Sequence, residues 1–180
     1  MAADRLQPRY HPGMPIVILS LVVRTDATEL IRANQDSRAH HAPWVYPFTD
    51  QDGFDKWFGR LVEGMDIALV ARDERFGIVA GVAHLSQISR GALESCYLDF
   101  YGNVALAGRG LMTEAVRLTV RHAFDRLALH RVEANVQPGN VRSLALIRRV
   151  GFRREGFSPR YLRIDGAWRD HERWAVLADD

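Results

Sequence analysis

The sequence predicts an α/β (α+β) domain built on a mixed, mostly antiparallel sheet of about seven strands with about four flanking helices. Three observations carry this. Strand-like runs of β-branched and apolar residues recur through the chain, separated by charged or glycine-containing turns. Two segments, one after Gly108 and one after Asn140, change to the spacing of an amphipathic helix. The C-terminal stretch reads as a long hairpin around Asp165-Gly166, a strong two-residue turn signal.

Taken in order, residues 1–14, with Pro8, Pro12 and Gly13, read as a flexible arm, and 15–180 as a single domain. Ile16 to Val23 reads as a strand, and Asp26 as the N-cap of a short helix to about Asn34. Ala39 to Pro47 contains two prolines, Trp44 and Tyr46, and reads as an irregular loop. Asp50 then caps a helix that places Phe54, Trp57, Phe58 and Leu61 on one face. A meander follows, with strands at Ile67 to Ala71, Gly77 to Ser86 and Leu93 to Gly102. A helix runs from Leu111 to about Ala128, and Arg131 to Gln137 is a short strand. Pro138-Gly139-Asn140 breaks that strand and opens a helix over Val141 to Val150, stopped by Gly151. The hairpin strands are Phe152 to Ile164 and Trp168 to Leu177.

Composition narrows the function. The 180 residues are 47% hydrophobic and 26% charged, an ordinary balance for a globular chain with a real core. The 24 basic residues are scattered among 22 acidic ones for a net charge of +2, which argues against a specific nucleic-acid partner. The single cysteine, Cys96, excludes an internal disulfide and a cysteine-rich zinc module. Its apolar strand setting reads as a buried, inert thiol rather than a nucleophile. The histidines lack ligand spacing, so no metal is expected. No apolar run approaches a membrane span and no secretion signal is legible, so the expected setting is cytoplasmic, as a monomer or homodimer.

The chemistry gathers at Ala107-Gly108-Arg109-Gly110-Leu111-Met112-Thr113-Glu114-Ala115, where a strand passes through a glycine loop into a helix. Glycines there let a ligand approach the backbone, and the exposed N–H groups with the helix dipole form an anion site suited to a pyrophosphate. Arg109 adds a charge-assisted contact. A plain tight turn has the same appearance, and the loop alone leaves both readings open. The dinucleotide fingerprint would need a glycine where Thr113 stands, and the Gly-Lys-Ser/Thr of a P-loop is absent.

In its setting, the segment resembles motif A of the GNAT acetyltransferases, Arg/Gln-x-x-Gly-x-Gly/Ala after a central strand. Further pieces resemble the RimJ/RimL branch, which acetylates ribosomal-protein N-termini. They are Gly110-Leu111-Met112-Thr113-Glu114-Ala115, His130-Arg131-Val132-Glu133-Ala134-Asn135, and Pro138-Gly139-Asn140-Val141-Arg142-Ser143, then Gly151-Phe152-Arg153-Arg154-Glu155-Gly156. The tail from Tyr161 through Asp165-Gly166-Ala167-Trp168 to His171 continues the likeness, which covers roughly residues 16 to 177. It implies a GNAT fold with splayed central strands, acetyl-CoA as cofactor, and acetyl transfer to a primary amine by direct attack without an acyl-enzyme. The implied acceptor is the N-terminal α-amino group of a protein such as a ribosomal protein. The alternatives are a small amine (aminoglycoside, polyamine or amino-acid conjugate) and a non-catalytic acyl-CoA-binding or ribosome-associated module.

The resemblance also assigns residues. Phe100, Tyr101 and Gly102 would offer backbone groups to the pantetheine arm as a neighbouring strand would. Ala107, Gly108, Arg109, Gly110, Leu111 and Met112 would hold the phosphates. Motif A departs from the family at Ala105, where Arg or Gln is usual, so the backbone amides carry that task. Asn140 would meet the cofactor arm and Ser143 its sulfur, where a hydroxyl can protonate the leaving thiolate; both residues also suit a helix cap. Asn135 stands where related enzymes keep a glutamate, and is counted with the cofactor contacts because it cannot take a proton. The catalytic candidates are Ser143, Asn140 and, as base, Glu94, whose alternative reading is a solvated edge charge. A base is dispensable if the amine arrives partly neutral, since an α-amino group has a pKa near ~8. Trp44, Tyr161 and Trp168 are expected at the acceptor pocket, with core packing as the alternative.

Overall fold

The computed structural model describes residues 16–64 and 66–180, so the arm read at 1–14 lies outside the described residues. The strands are β1 (Val17–Leu21), β2 (Ile67–Asp73), β3 (Val79–Ser89), β4 (Ser95–Gly102), β5 (Arg131–Val136), β6 (Arg153–Ile164) and β7 (Ala167–Leu177). The helices are α1 (Ala27–Asp36), α2 (Arg38–His41), α3 (Gln51–Val62), α4 (Leu111–Asp125) and α5 (Val141–Val150). The seven strands form one sheet in the order β1-β2-β3-β4-β5-β7-β6. Every neighbouring pair is antiparallel except β4 with β5.

Five helices stand where about four were expected. The extra one, α2, lies in the segment read as irregular, where two prolines outweighed the short run Arg38-Ala39-His40-His41. Asp26 stands at the N-cap position of α1, as expected, but its side chain makes no cap bond there. It closes a 3-10 turn (Arg24–Asp26), and its carboxylate accepts from the Val23 amide at 2.8 Å and from Arg72 at 2.9 Å. Asp50 does cap α3, accepting from the Gly53 amide at 2.8 Å.

Alternation along the strands sets the layers. On β2 and β3 both faces are apolar, and both are covered. Leu69, Ala71 and Ala80 pack with Leu111, Ala115 and Leu118 of α4, while Ala68, Val70, Val79 and Val82 pack with Leu30 of α1 and Phe54 of α3. On β4 and β5 one face, with Cys96, Leu98, Val132, Ala134 and Val136, meets Val116, Val120, Leu144 and Ile147 of α4 and α5. Burying such side chains is worth about 1.5–3 kcal/mol each, which fixes this face inward. The opposite face of β4 and β5 carries Tyr97, Asp99, Tyr101, Glu133 and Asn135, since side chains two apart share a face.

The sheet is split at its centre. β4 and β5 pair only over Ser95 to Tyr97 with Arg131 to Glu133. Beyond that point β4 stays bonded to β3, as far as Gly102 with Gly81, and β5 to β7, as far as Val136 with Glu172. The strands therefore part at their C-terminal ends, as expected of splayed central strands.

Candidate active site

The split opens into a cleft of about 1300 Å³. That exceeds the roughly 300–1,000 Å³ of an ordinary small-molecule pocket and leaves room for a long ligand. The floor is Phe100, Tyr101 and Gly102 of β4; one wall is the loop from Ala107 into α4, the other the start of α5 with Asn140 and Ser143. Trp44 and His41 close it from the α2 side.

The glycine loop is built for backbone exposure. Gly108 and Gly110 have φ of 77° and 78°, a region that costs other residues strain. A Cβ on Gly108 would find no protein atom within 4 Å, so that side of the loop is open space. Gly110 is the N-cap residue of α4 and offers no side-chain cap, leaving the first amides of a 15-residue helix for an outside acceptor. Gly81 and Gly102 serve packing: a Cβ at Gly81 would collide with the Tyr101 carbonyl and the Met112 sulfur, and one at Gly102 would press on Met112 at 3.1 Å. The absence of both side chains brings α4 close against the open end of β4.

His41 was not singled out from the sequence. Its Nε2 sits 2.8 Å from the Gly102 carbonyl, to which it must donate, and burial lowers its pKa, so the ring is neutral. The Gly102 carbonyl is therefore engaged, which limits that residue's backbone contribution to a ligand. Three arginines were also missed. Arg117 of α4 faces the cleft beside its partner Glu114, and Arg142 and Arg149 face it from α5. Arg142 and Arg149 are seven residues apart, with Ala145 and Leu146 between them, a stripe that helical spacing could have revealed.

The sequence-derived residues divide clearly. Phe100, Tyr101, Gly102, Ala107, Gly108, Gly110, Leu111, Met112, Asn140, Ser143 and Trp44 all line the cleft. Asn140 caps α5, its Oδ1 accepting from the Ser143 amide at 3.2 Å; the Ser143 hydroxyl is left for the cleft. Arg109 is exposed and does not line the cleft, because it sits between two left-handed glycines that turn its side chain outward. Asn135 does not line it either: it belongs to the other face of β5, opposite α4 and α5. Glu94 lies at the wrong end of its strand. It precedes Ser95 at the closed end, where its carbonyl accepts from the His130 and Arg131 amides at 2.7 and 3.1 Å. Trp168 is 61% exposed near the hairpin tip, away from the cleft.

Tyr161 is brought to the polar face instead. A register shift in β6 between Ser158 and Leu162, with Arg160 at φ 49°, bulges the strand. The bulge brings Tyr161 edge-on to His171, ring centroids 6.2 Å apart, and into a hydrogen bond with Tyr97, which with burial pushes the Tyr97 phenol up to about 12. On the same face the Trp57 ring of α3 lies 6.0 Å from that of His84. Cys96 faces the other way, into the core, and burial pushes its thiol up to about 12, so it is no nucleophile. Among the described residues no cluster of His, Cys, Asp or Glu could hold a metal ion, and no helix is long and apolar enough to cross a membrane.

A split sheet with a backbone anion site on one side and an open polar face on the other defines a class. It is an enzyme that threads a long anionic cofactor through the sheet to meet a second substrate from the far face. Residues 17–153 match the acetyltransferase (GNAT) domain, and the chain belongs to that family. It is an acetyl-CoA-dependent N-acetyltransferase. The [ribosomal protein uS5]-alanine N-acetyltransferase of Escherichia coli K12 is 40% identical over 189 residues, spanning 95% of this chain and 96% of that one. A probable N-acetyltransferase of Bacillus subtilis is 42% identical over 110 residues, 61% of this chain and only 59% of the relative's length. Among solved structures, RimJ of Mycobacterium smegmatis in complex with CoA-disulfide superposes with a TM-score of 0.78 at 30% identity, covering 94% of this chain and 91% of that one.

Proposed function

We propose that the acceptor is the N-terminal α-amino group of a protein, of the alanine type, with a ribosomal protein as the leading candidate and the cytoplasm as the setting. The observation that carries this is the near full-length similarity to an enzyme named for acetylating the alanine of ribosomal protein uS5. The small-polyamine alternative calls for several unpaired carboxylates on the polar face of β4 and β5. Glu133 is instead paired with Arg131 at 3.0 Å, and Asp66 with Arg60 at 3.7 Å.

The cleft fits acetyl-CoA on its own terms: open space at Gly108, free amides at the start of α4, and arginines along α5. When bound, the cofactor supplies an acetyl group as a thioester, whose C–S bond breaks as the amine adds to the carbonyl carbon. The amides of Gly108 to Met112 would hold the pyrophosphate, replacing the side chain missing at Ala105, while the Ala107 amide is already bonded to the Val104 carbonyl. Arg142 and Arg149 would attract the remaining phosphate charge. The freed edge of β4 over Phe100 and Tyr101 would pair with the pantetheine arm, and Trp44 would exclude water from the narrow end. Ser143 Oγ would hydrogen-bond the departing sulfur and pass it a proton, while Asn140 holds the helix turn that presents it.

The test is thiol release from acetyl-CoA across a panel of acceptors. Peptides beginning with Ala or Ser should turn over with one CoA released per acetyl group transferred, and spermidine and aminoglycosides should not. No turnover on any such peptide would remove the protein acceptor. Tight acetyl-CoA binding without transfer to any amine would instead indicate a binding module.

A further inference from the structure

We propose that Asp99 is the proton acceptor for the attacking amine, working with Asn135 across the split between β4 and β5. This rests on the reading above in one respect, that a primary amine approaches from the polar face of the sheet.

The geometry begins at the last pair of the β4–β5 ladder, Tyr97 with Glu133. Two residues further on each strand, on the same face, stand Asp99 and Asn135. They are the first side chains of that face past the point where the strands part, one on each lip of the opening. Leu98, Ala134 and Val136 point the other way, toward α4 and α5, so these lips face the acceptor side.

Both residues are chemically unfinished. The Asn135 Oδ1 is buried and has no hydrogen-bond partner among the described residues. Leaving such an acceptor unmet costs about 1–3 kcal/mol, and a bound donor would recover it. Asp99 is exposed to water on one side but crowded by protein on the others, and this desolvation holds its carboxyl above the ordinary carboxylate range. Asp66, before β2, pushes the same way; His84 on β3 and His171 on β7 oppose it. Burial lowers the pKa of both histidines, so near neutral pH they contribute little positive charge. Of the other charged or titratable groups about this face, Arg60 of α3 pairs with Asp66, Arg131 pairs with Glu133 and Glu155, Tyr161 lies beside Tyr97, and Arg173 of β7, opposite Asn135, acts on Glu155. No lysine or arginine forms an ion pair with Asp99 among the described residues.

An ammonium carries three N–H donors. Asp99 can accept one and Asn135 Oδ1 another, which seats the nitrogen in the opening. Proton transfer breaks one N–H bond, leaves its electron pair on nitrogen and forms O–H on Asp99. The neutral amine then forms the amide, and its second proton ends on the released thiol by way of Ser143. Asp99 returns its proton to water. One ammonium and one thioester thus give one amide, one thiol and one proton.

The experiment is kcat/KM against pH for wild type, Asp99→Asn and Asp99→Glu, on an Ala-initiated peptide and a small primary amine, with acetyl-CoA affinity measured by calorimetry. Wild type should show an acid limb above the ordinary carboxylate range. Asp99→Asn should lose roughly 10²-fold near pH 6.5, with the deficit shrinking toward pH 9 as neutral amine becomes abundant. Its acetyl-CoA affinity should stay within twofold, and Asp99→Glu should regain the acid limb. A pH-independent deficit, a raised KM with an unchanged profile, or a wild type without the acid limb would overturn the proposal. If only the small amine is acetylated, the protein-acceptor reading fails while the profile on that amine still judges Asp99.

Discussion

Two carboxylates mark the two ends of β4, Glu94 just before its first residue and Asp99 toward its open end, and their surroundings differ. At the Glu94 end the strand is closed on both sides, by β3 and by β5, and backbone bonds to His130 and Arg131 seal the turn. At the Asp99 end β5 has left, and one strand edge is free between a helix N-terminus and the polar face of the sheet. The difference teaches that pairing decides which backbone and side-chain groups are available for chemistry. A carboxylate type on a central strand says little until the extent of the ladder is known.

The largest expected effect lies at the open end. Ser143→Ala should lower kcat by roughly 10²-fold while changing acetyl-CoA affinity by less than threefold, because the role proposed for the hydroxyl is at the departing sulfur and the helix turn is held by Asn140. Steady-state kinetics with calorimetry separate the two. A variant that loses affinity and keeps kcat would make Ser143 a binding residue and narrow the chemical part of the open end to β4.

Next is Gly108→Val. The loop has open space at this position, so the cost comes from a β-branched residue at φ 77° and from a side chain standing where the ligand approaches. Strain of about 1–3 kcal/mol predicts acetyl-CoA binding weaker by roughly 5- to 150-fold or an equivalent loss of stability. Unchanged affinity and stability would remove the anion site from the description of the open end.

Much of this was legible from sequence because it is local. The Gly108-Arg109-Gly110 turn, the Asn140 cap and the strand–helix order follow from dihedral freedom, capping and periodicity, which act over a few residues. What was not legible depends on registers between distant segments. Asp99 and Asn135 sit 36 positions apart and come to stand just beyond the last pair of the β4–β5 ladder, Tyr97 with Glu133. His41 reaches Gly102 across 61 positions, and the short helix that carries it was hidden among prolines. Tyr161 was found, but the bulge that presents it was not. Trp168 stands exposed outside the cleft, an orientation not legible because an aromatic near a hairpin tip gives no sign of which way it points.

The smallest expected effect is the sharpest check on the comparison. Glu94 is exposed, and with φ 42° it serves the turn through its backbone. Its carbonyl bonds to His130 and Arg131 do not involve its side chain. It stands roughly 16 Å along the strand from Asp99, five residues at about 3.3 Å each. Glu94→Gln should therefore keep kcat/KM within twofold at every pH and stability within about 0.5 kcal/mol. Measured beside Asp99→Asn over the same pH range, it isolates position on the strand from the mere loss of a carboxylate. A Glu94→Gln enzyme with a lost acid limb would mean that the closed end reaches the reaction after all, and the division of β4 into a sealing end and a reacting end would have to be given up.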